Sequence, residues 1–229
     1  MPYRRLPNTD QARLRALNTA VDKASVCSLD DLPFSLKTLT EARNFLPHFK
    51  AAQFYYRECY SNQSKGSRKH LANIKTARLY LSHFIQVLNL AVLRSEIKFS
   101  HKEMYGLRSD SFSIPDLLSE SSIAEWGHKI IAGETLRTSQ GGVPIYNPTI
   151  AKVKVHYDIF LESYERQKNF QALTASSLET LASMRPQADN IILDIWDQVE
   201  SKFALLGEQR LNKCREFGLI YYYRKGENI

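Results

Sequence analysis

Between Ser67 and Ser100, apolar residues recur at alternating steps of three and four: Leu71, Ile74, Leu81, Ile85, Leu88 and Val92, interrupted only at Arg78. That spacing sets them along one side of a helix, as a packing seam requires. A second row, Leu79, Val87, Leu90 and Ile97, covers another side, and a narrow stripe of Lys75, Arg78, Ser82, Gln86, Asn89 and Glu96 stays polar. A helix apolar around most of its circumference is expected to be buried among neighbours. At about 1.5 Å per residue it would run roughly 50 Å, a length that suits a bundle.

The same periodicity predicts the rest of the architecture. Residues 1–8 read as extended, because Pro2 and Pro7 disfavour helix in the residue before each of them. Thr9 or Asp10 can cap a short helix over about 10–24, with Leu14, Leu17 and Val21 on one face. A long helix is expected over 35–61 through Leu36, Leu39, Ala42, Phe45, Leu46, Phe49 and Ala52, kinked or divided at Pro47. Asn62-Gln-Ser-Lys-Gly66 reads as a tight polar loop leading into the helix over 67–99. Residues 100–118 read as irregular, and a short helix over 119–138 turns Ile123, Trp126, Ile130, Ile131 and Leu136 inward. Asn147-Pro148 looks like the cap and first position of a helix over 149–184, carrying Ile150, Val153, Tyr157, Phe160, Tyr164, Leu178 and Leu181. Pro186 should break it before a last long helix over 187–216, and Leu219-Ile-Tyr-Tyr-Tyr223 is a strand-like tail. The fold expected is all-α: an antiparallel bundle of four long helices (35–61, 67–99, 149–184, 187–216) with two shorter ones (10–24, 119–138) alongside.

Tyr105-Gly106-Leu107 matches Phe217-Gly218-Leu219 at an offset of 112 residues, and the long helices expected near 37 and 149 share that offset. This suggests one helical-bundle domain over 1–229 with an internal duplication of about 1–110 and 111–229.

Composition narrows the function classes. The 229 residues are 43% hydrophobic and 24% charged, which supports a real core. Three scattered cysteines, Cys27, Cys59 and Cys214, make no Cys-x-x-Cys pair, so reduced thiols in a cytoplasmic protein are expected. No apolar run approaches the length of a membrane span, so no membrane insertion is expected. The net charge of +7 is compatible with nucleic acid, an anionic membrane surface or an acidic protein as partner, and does not choose among them.

Candidate chemistry is sparse. Glu125-Trp-Gly-His128 matches once the Glu-x-x-His unit that bundles use in pairs to build di-metal sites, and the other five histidines lack it. Phosphate-binding glycine loops and a nucleophile elbow are absent, so no cofactor, metal or catalytic residue is expected, and a metal-dependent enzyme ranks third. Lys65, Arg68 and Lys69 gather at the start of the 67–99 helix, and Arg210, Lys213, Arg215, Arg224 and Lys225 near the C-terminus. Were these to meet, they would suit phosphates, with Tyr221, Tyr222 and Tyr223 as stacking faces, which makes nucleic acid the second reading. Phe54, Tyr55, Tyr56 and Tyr60 cannot all point into one core, so aromatic surface is expected there. Such surface favours a protein partner or a homo-oligomer, the leading expectation.

The opening Pro-Tyr-Arg-Arg-Leu-Pro-Asn-Thr-Asp and the closing Tyr-Tyr-Tyr-Arg-Lys resemble the ends of uncharacterised helical proteins from Bacteroidetes-type bacteria. The resemblance covers the termini only; it implies a bacterial, cytosolic origin and carries over no activity and no site residue.

Overall fold

The structure, a computed structural model, describes residues 2–224. Its elements follow in order as β1 (Tyr3–Arg4), α1 (Asp10–Val26), α2 (Leu36–Leu93), a 3-10 turn (Phe99–Tyr105), α3 (Glu120–Ser139), α4 (Ile150–Lys202), α5 (Arg210–Glu216) and β2 (Tyr221–Tyr222). The fold is all-α. The two short strands pair antiparallel, Tyr3 with Tyr222 and Arg4 with Tyr221. Local chemistry sets the helix starts. The Thr9 hydroxyl accepts the Ala12 N–H at 3.2 Å and the Ser119 hydroxyl accepts the Ser122 N–H at 3.0 Å, satisfying donors that have no partner within the helix.

The four long helices expected are two. Residues 62–66, read as a loop, are helical within α2, and Pro186, read as a break, lies inside α4. Pro47 is likewise inside α2. A proline in a helix interior costs about 3 kcal/mol, so packing on both sides must outweigh it. Here Phe45 and Phe49 flank Pro47, and Leu181 and Ala188 flank Pro186, all four buried. Gly66 is a packing glycine rather than a turn residue, because a Cβ there would lie 2.8 Å from the Phe170 ring. The last helix expected, 187–216, instead belongs to α4 up to Lys202, and the chain then turns at Gly207 (φ 55°) before α5. Asn147-Pro148 is a cis peptide ahead of α4, and the capping hydroxyl is that of Thr149, which accepts the Lys152 N–H at 3.3 Å.

The chain divides into two compact units, residues 1–59 with 173–229, and residues 60–172. In the first, α2 and α4 run antiparallel. Thr38 donates to Asp194 Oδ2 at 2.7 Å, and Gln198 donates to Thr38 at 3.0 Å. Arg13 clamps Asp189 at 2.7 and 2.9 Å, and Arg185 clamps Asp10 at 2.8 and 2.9 Å, fixing α1 on α4. Its core joins Leu17, Phe49, Ile192, Trp196, Phe217 and neighbours. In the second unit α2 and α4 are also antiparallel, His70 meeting Ser163 and Tyr80 meeting His156. Its core joins Leu81, Phe84, Ile85, Leu88, Tyr105, Ile123, Ile130 and Phe160. Between Phe160 and Leu181 the buried positions of α4 are Gln167, Thr174 and Ser177.

Each unit has a short helix, the first part of one long helix, the second part of the other, and an aromatic-Gly-Leu turn with glycine in the left-handed region, while β1, α5 and β2 belong to the first unit and the 99–105 turn to the second. The glycines are Gly106 (φ 70°) and Gly218 (φ 90°), a conformation costly for any residue with a Cβ.

Candidate functional site

The inward face of α3 explains much of the second unit. Ile123, Gly127, Ile130, Gly133, Glu134 and Arg137 are its buried positions. Leu136, expected inward, is exposed. The glycines admit neighbours at close range: a Cβ on Gly127 would lie 2.2 Å from the Tyr157 ring, and one on Gly133 2.7 Å from the Met104 carbonyl. Glu134 and Arg137 are 0% and 3% exposed. Arg137 donates to Glu134 at 2.9 Å, to the Tyr105 hydroxyl at 2.7 Å and to the Val143 carbonyl at 2.8 Å. Glu134 also accepts the Tyr105 hydroxyl and the Ile145 N–H, the latter at 3.0 Å. Burial and the Glu134 carboxylate push the Tyr105 phenol well above its ordinary value. Each carboxylate oxygen and the phenol are engaged, so this is a closed internal network with no group turned toward a ligand.

A carboxylate–imidazole–hydroxyl chain also occurs. His70 Nδ1 is 2.9 Å from Ser163 Oγ, and its Nε2 is 3.3 Å from Glu120 Oε1 but off-line for a hydrogen bond. The Ser163 hydroxyl donates to the Phe160 carbonyl at 2.9 Å, so its proton is committed to the helix rather than to the imidazole. His70 is a buried histidine stacked on Phe160 and Tyr164, beside a small cavity of about 120 Å³. His128 is exposed, and no group of three or more His, Cys, Asp or Glu able to hold a metal occurs among the described residues.

The outer side of α2 in the second unit is unexpected. Leu71, Leu79, Leu90 and Leu93 are 50–64% exposed, although the first three stand in rows read as buried. Steps of eight, eleven and three keep the four within about 100° of arc at 3.6 residues per turn. The core instead takes Ile74, Ala77, Leu81, Phe84, Ile85, Leu88 and Val92. The polar stripe is partly covered, since Asn89 donates to the Phe112 carbonyl at 3.0 Å and Arg78 to the Leu118 carbonyl at 2.8 Å.

The aromatic residues divide as their fan around the helix implies. Phe54, Tyr55 and Tyr60 are each more than half exposed, whereas Tyr56 packs against the first unit's core. Tyr221 is half-buried and donates to Glu200 at 2.6 Å. Tyr222 is exposed, its ring 5.8 Å from that of Tyr3, and Tyr223 is half-buried.

The basic residues fall in different units. Lys65, Arg68 and Lys69 lie in 60–172, all exposed and without an ion pair among the described residues. Arg210, Lys213, Arg215 and Arg224 lie in the other unit. Lys213 pairs with Glu216 at 3.2 Å, Arg215 donates to Asn212 at 3.2 Å, and Arg224 sits 4.3 Å over the Tyr3 ring. Lys225 lies outside the described residues. No helix among the described residues is long and apolar enough to cross a membrane. No protein family, curated protein or solved structure matches the chain.

Proposed function

We propose that this protein acts as a non-enzymatic helical scaffold that binds protein, foremost a second copy of itself, through the outer side of α2 between Leu71 and Leu93. The observation that carries this reading is the row of four leucines half or more exposed on one side of an ordered helix. Solvent-facing leucines are common singly, but a row along one helix face offers the apolar area that association removes from water. At about 25 cal/mol per Å², covering four such side chains is worth several kcal/mol before association entropy is subtracted. Free thiols at Cys27, Cys59 and Cys214 support a place in the bacterial cytoplasm.

Size-exclusion chromatography with light scattering tests it. The wild type should grow in mass with concentration, and Leu79→Glu with Leu90→Glu should hold it at one chain. A monomer across the whole range would remove self-association.

A second reading rests on charge. Residues 60–172 hold fifteen Lys and Arg against ten Asp and Glu, so +5 of the net +7 lies there. With Lys65, Arg68 and Lys69 exposed and without an ion pair, this face supports nucleic-acid binding. Affinity for mixed oligonucleotides that falls steeply with salt would favour it, and no measurable affinity at low salt would dismiss it.

A further inference from the structure

A cleft of about 480 Å³ opens in the first unit where β1, the end of α4, α5 and β2 meet. Its walls combine polar groups, Arg4, Glu200, Arg210 and Tyr221, with the apolar Ala204 and Leu211. That size and mixture are those of a small-molecule site, in which apolar walls supply contact and a few polar groups fix orientation.

The polar groups are unevenly satisfied. Arg4 donates to Asp197 Oδ1 at 2.6 Å and lies 3.5 Å from Glu200 Oε2. The other Glu200 oxygen accepts the Tyr221 hydroxyl at 2.6 Å. Glu200 is therefore used on both oxygens by its own neighbours. Arg210 has no ion pair among the described residues, and its Nε is buried with no hydrogen-bond partner. The group beside it is the buried Cys214 thiol, a weak acceptor whose pKa burial raises. A guanidinium whose buried Nε faces nothing better than a thiol is poorly compensated, and an anion on its remaining nitrogens would supply the missing counter-charge. Arg4 is balanced by Asp197 and Glu200, so Arg210 is the guanidinium of the cleft that has no ion pair among the described residues.

We infer that this cleft binds a small monocarboxylate carried on an apolar stem, its carboxylate on Arg210 and its stem against Ala204 and Leu211. Arginine suits the task because its planar fork takes a carboxylate through two parallel hydrogen bonds. One guanidinium without an ion pair matches a monoanion, and the apolar wall selects an acid with a hydrocarbon body over a bare inorganic anion.

Isothermal titration of the full chain with octanoate tests the assignment, with octanamide and inorganic phosphate as comparison probes. Saturable one-site binding of octanoate is expected, with octanamide and phosphate at least about tenfold weaker, the loss of one charge-assisted pair. Arg210→Gln should weaken octanoate by about tenfold or more, Arg210→Lys by less, and Arg215→Gln, on an exposed site of the same helix, should leave it unchanged. Circular dichroism of each variant separates loss of binding from loss of fold. If Arg210→Gln unfolds the chain, Arg210→Lys and the octanamide comparison decide. Absence of saturable octanoate binding, or equal binding of octanoate and octanamide, would overturn the assignment.

Discussion

Glu134→Gln is the most informative single substitution in the second unit. It keeps the shape of the side chain and removes its charge. In the wild type, Glu134 holds Arg137, the Tyr105 hydroxyl and the Ile145 N–H around a carboxylate that is 0% exposed. The amide leaves the Arg137 guanidinium, 3% exposed, without its counter-charge, and turns an NH₂ toward groups that donate. Breaking a buried pair by removing one partner costs about 3–5 kcal/mol. Tyr105→Phe removes one hydroxyl from the same network and should cost about 1–2 kcal/mol. Replacing both charged residues, as Glu134→Leu with Arg137→Met, spares the uncompensated charge. It still leaves the Ile145 N–H and Val143 carbonyl without these partners, at about 1–3 kcal/mol each. Urea unfolding followed by far-UV circular dichroism and by tryptophan fluorescence gives these differences. Because the two cores are separate, only the transition that involves residues 60–172 should move if two are resolved. A Glu134→Gln shift below about 1 kcal/mol would refute the view that this network is a closed, buried ion pair.

Three further outcomes are expected. Gly127→Ala should destabilise by more than about 1 kcal/mol in thermal melts, despite the better helix propensity of alanine, because its Cβ would meet the Tyr157 ring at 2.2 Å. Pro47→Ala should stabilise by about 1–3 kcal/mol, since Pro47 is exposed within α2 and alanine restores a backbone donor; a loss of stability would show that the helix needs a bend there. Tyr105 and Tyr221 both have pKa values raised above the ordinary 10.0, chiefly by burial, so the folded chain keeps protons that the unfolded chain releases. Their contribution is complete below pH about 10 and is lost as pH rises beyond it, and Tyr221→Phe should flatten the alkaline fall in melting temperature.

Apolar periodicity alone was enough to reveal an all-helical chain and most of the inward residues; prolines and composition marked the two ends as extended, but their pairing comes only from the structure. It misplaced the helix boundaries where composition and packing disagree. Asn62-Gln-Ser-Lys-Gly66 has the residues of a turn, yet Gly66 is there to admit Phe170 and Gln167. Pro47 and Pro186 have the local chemistry of breaks, and the aromatic and aliphatic residues on either side hold the helix through them. A hydrophobicity scan also passes over Gly127, Gly133, Glu134 and Arg137, because what makes them interior is small size or mutual pairing. The leucine row of α2 failed in the opposite direction. Residues suited to a core were placed in a core by their spacing, whereas exposure depends on which neighbours arrive. The cleft around Arg210 was legible only in part, as a basic residue near an aromatic tail. Its partner Arg4 comes from the other end of the chain, joined through the two-strand pairing.

The unbroken course of α2 through residues 62–66 underlies both the two cores and the leucine row. Amide hydrogen exchange of the peptide spanning Tyr60 to Ser67 measures it most directly. Protection close to that of the flanking helix is predicted, because each of those N–H groups is held within α2. Exchange at the rate of unstructured chain would place a loop there and contradict the single long helix.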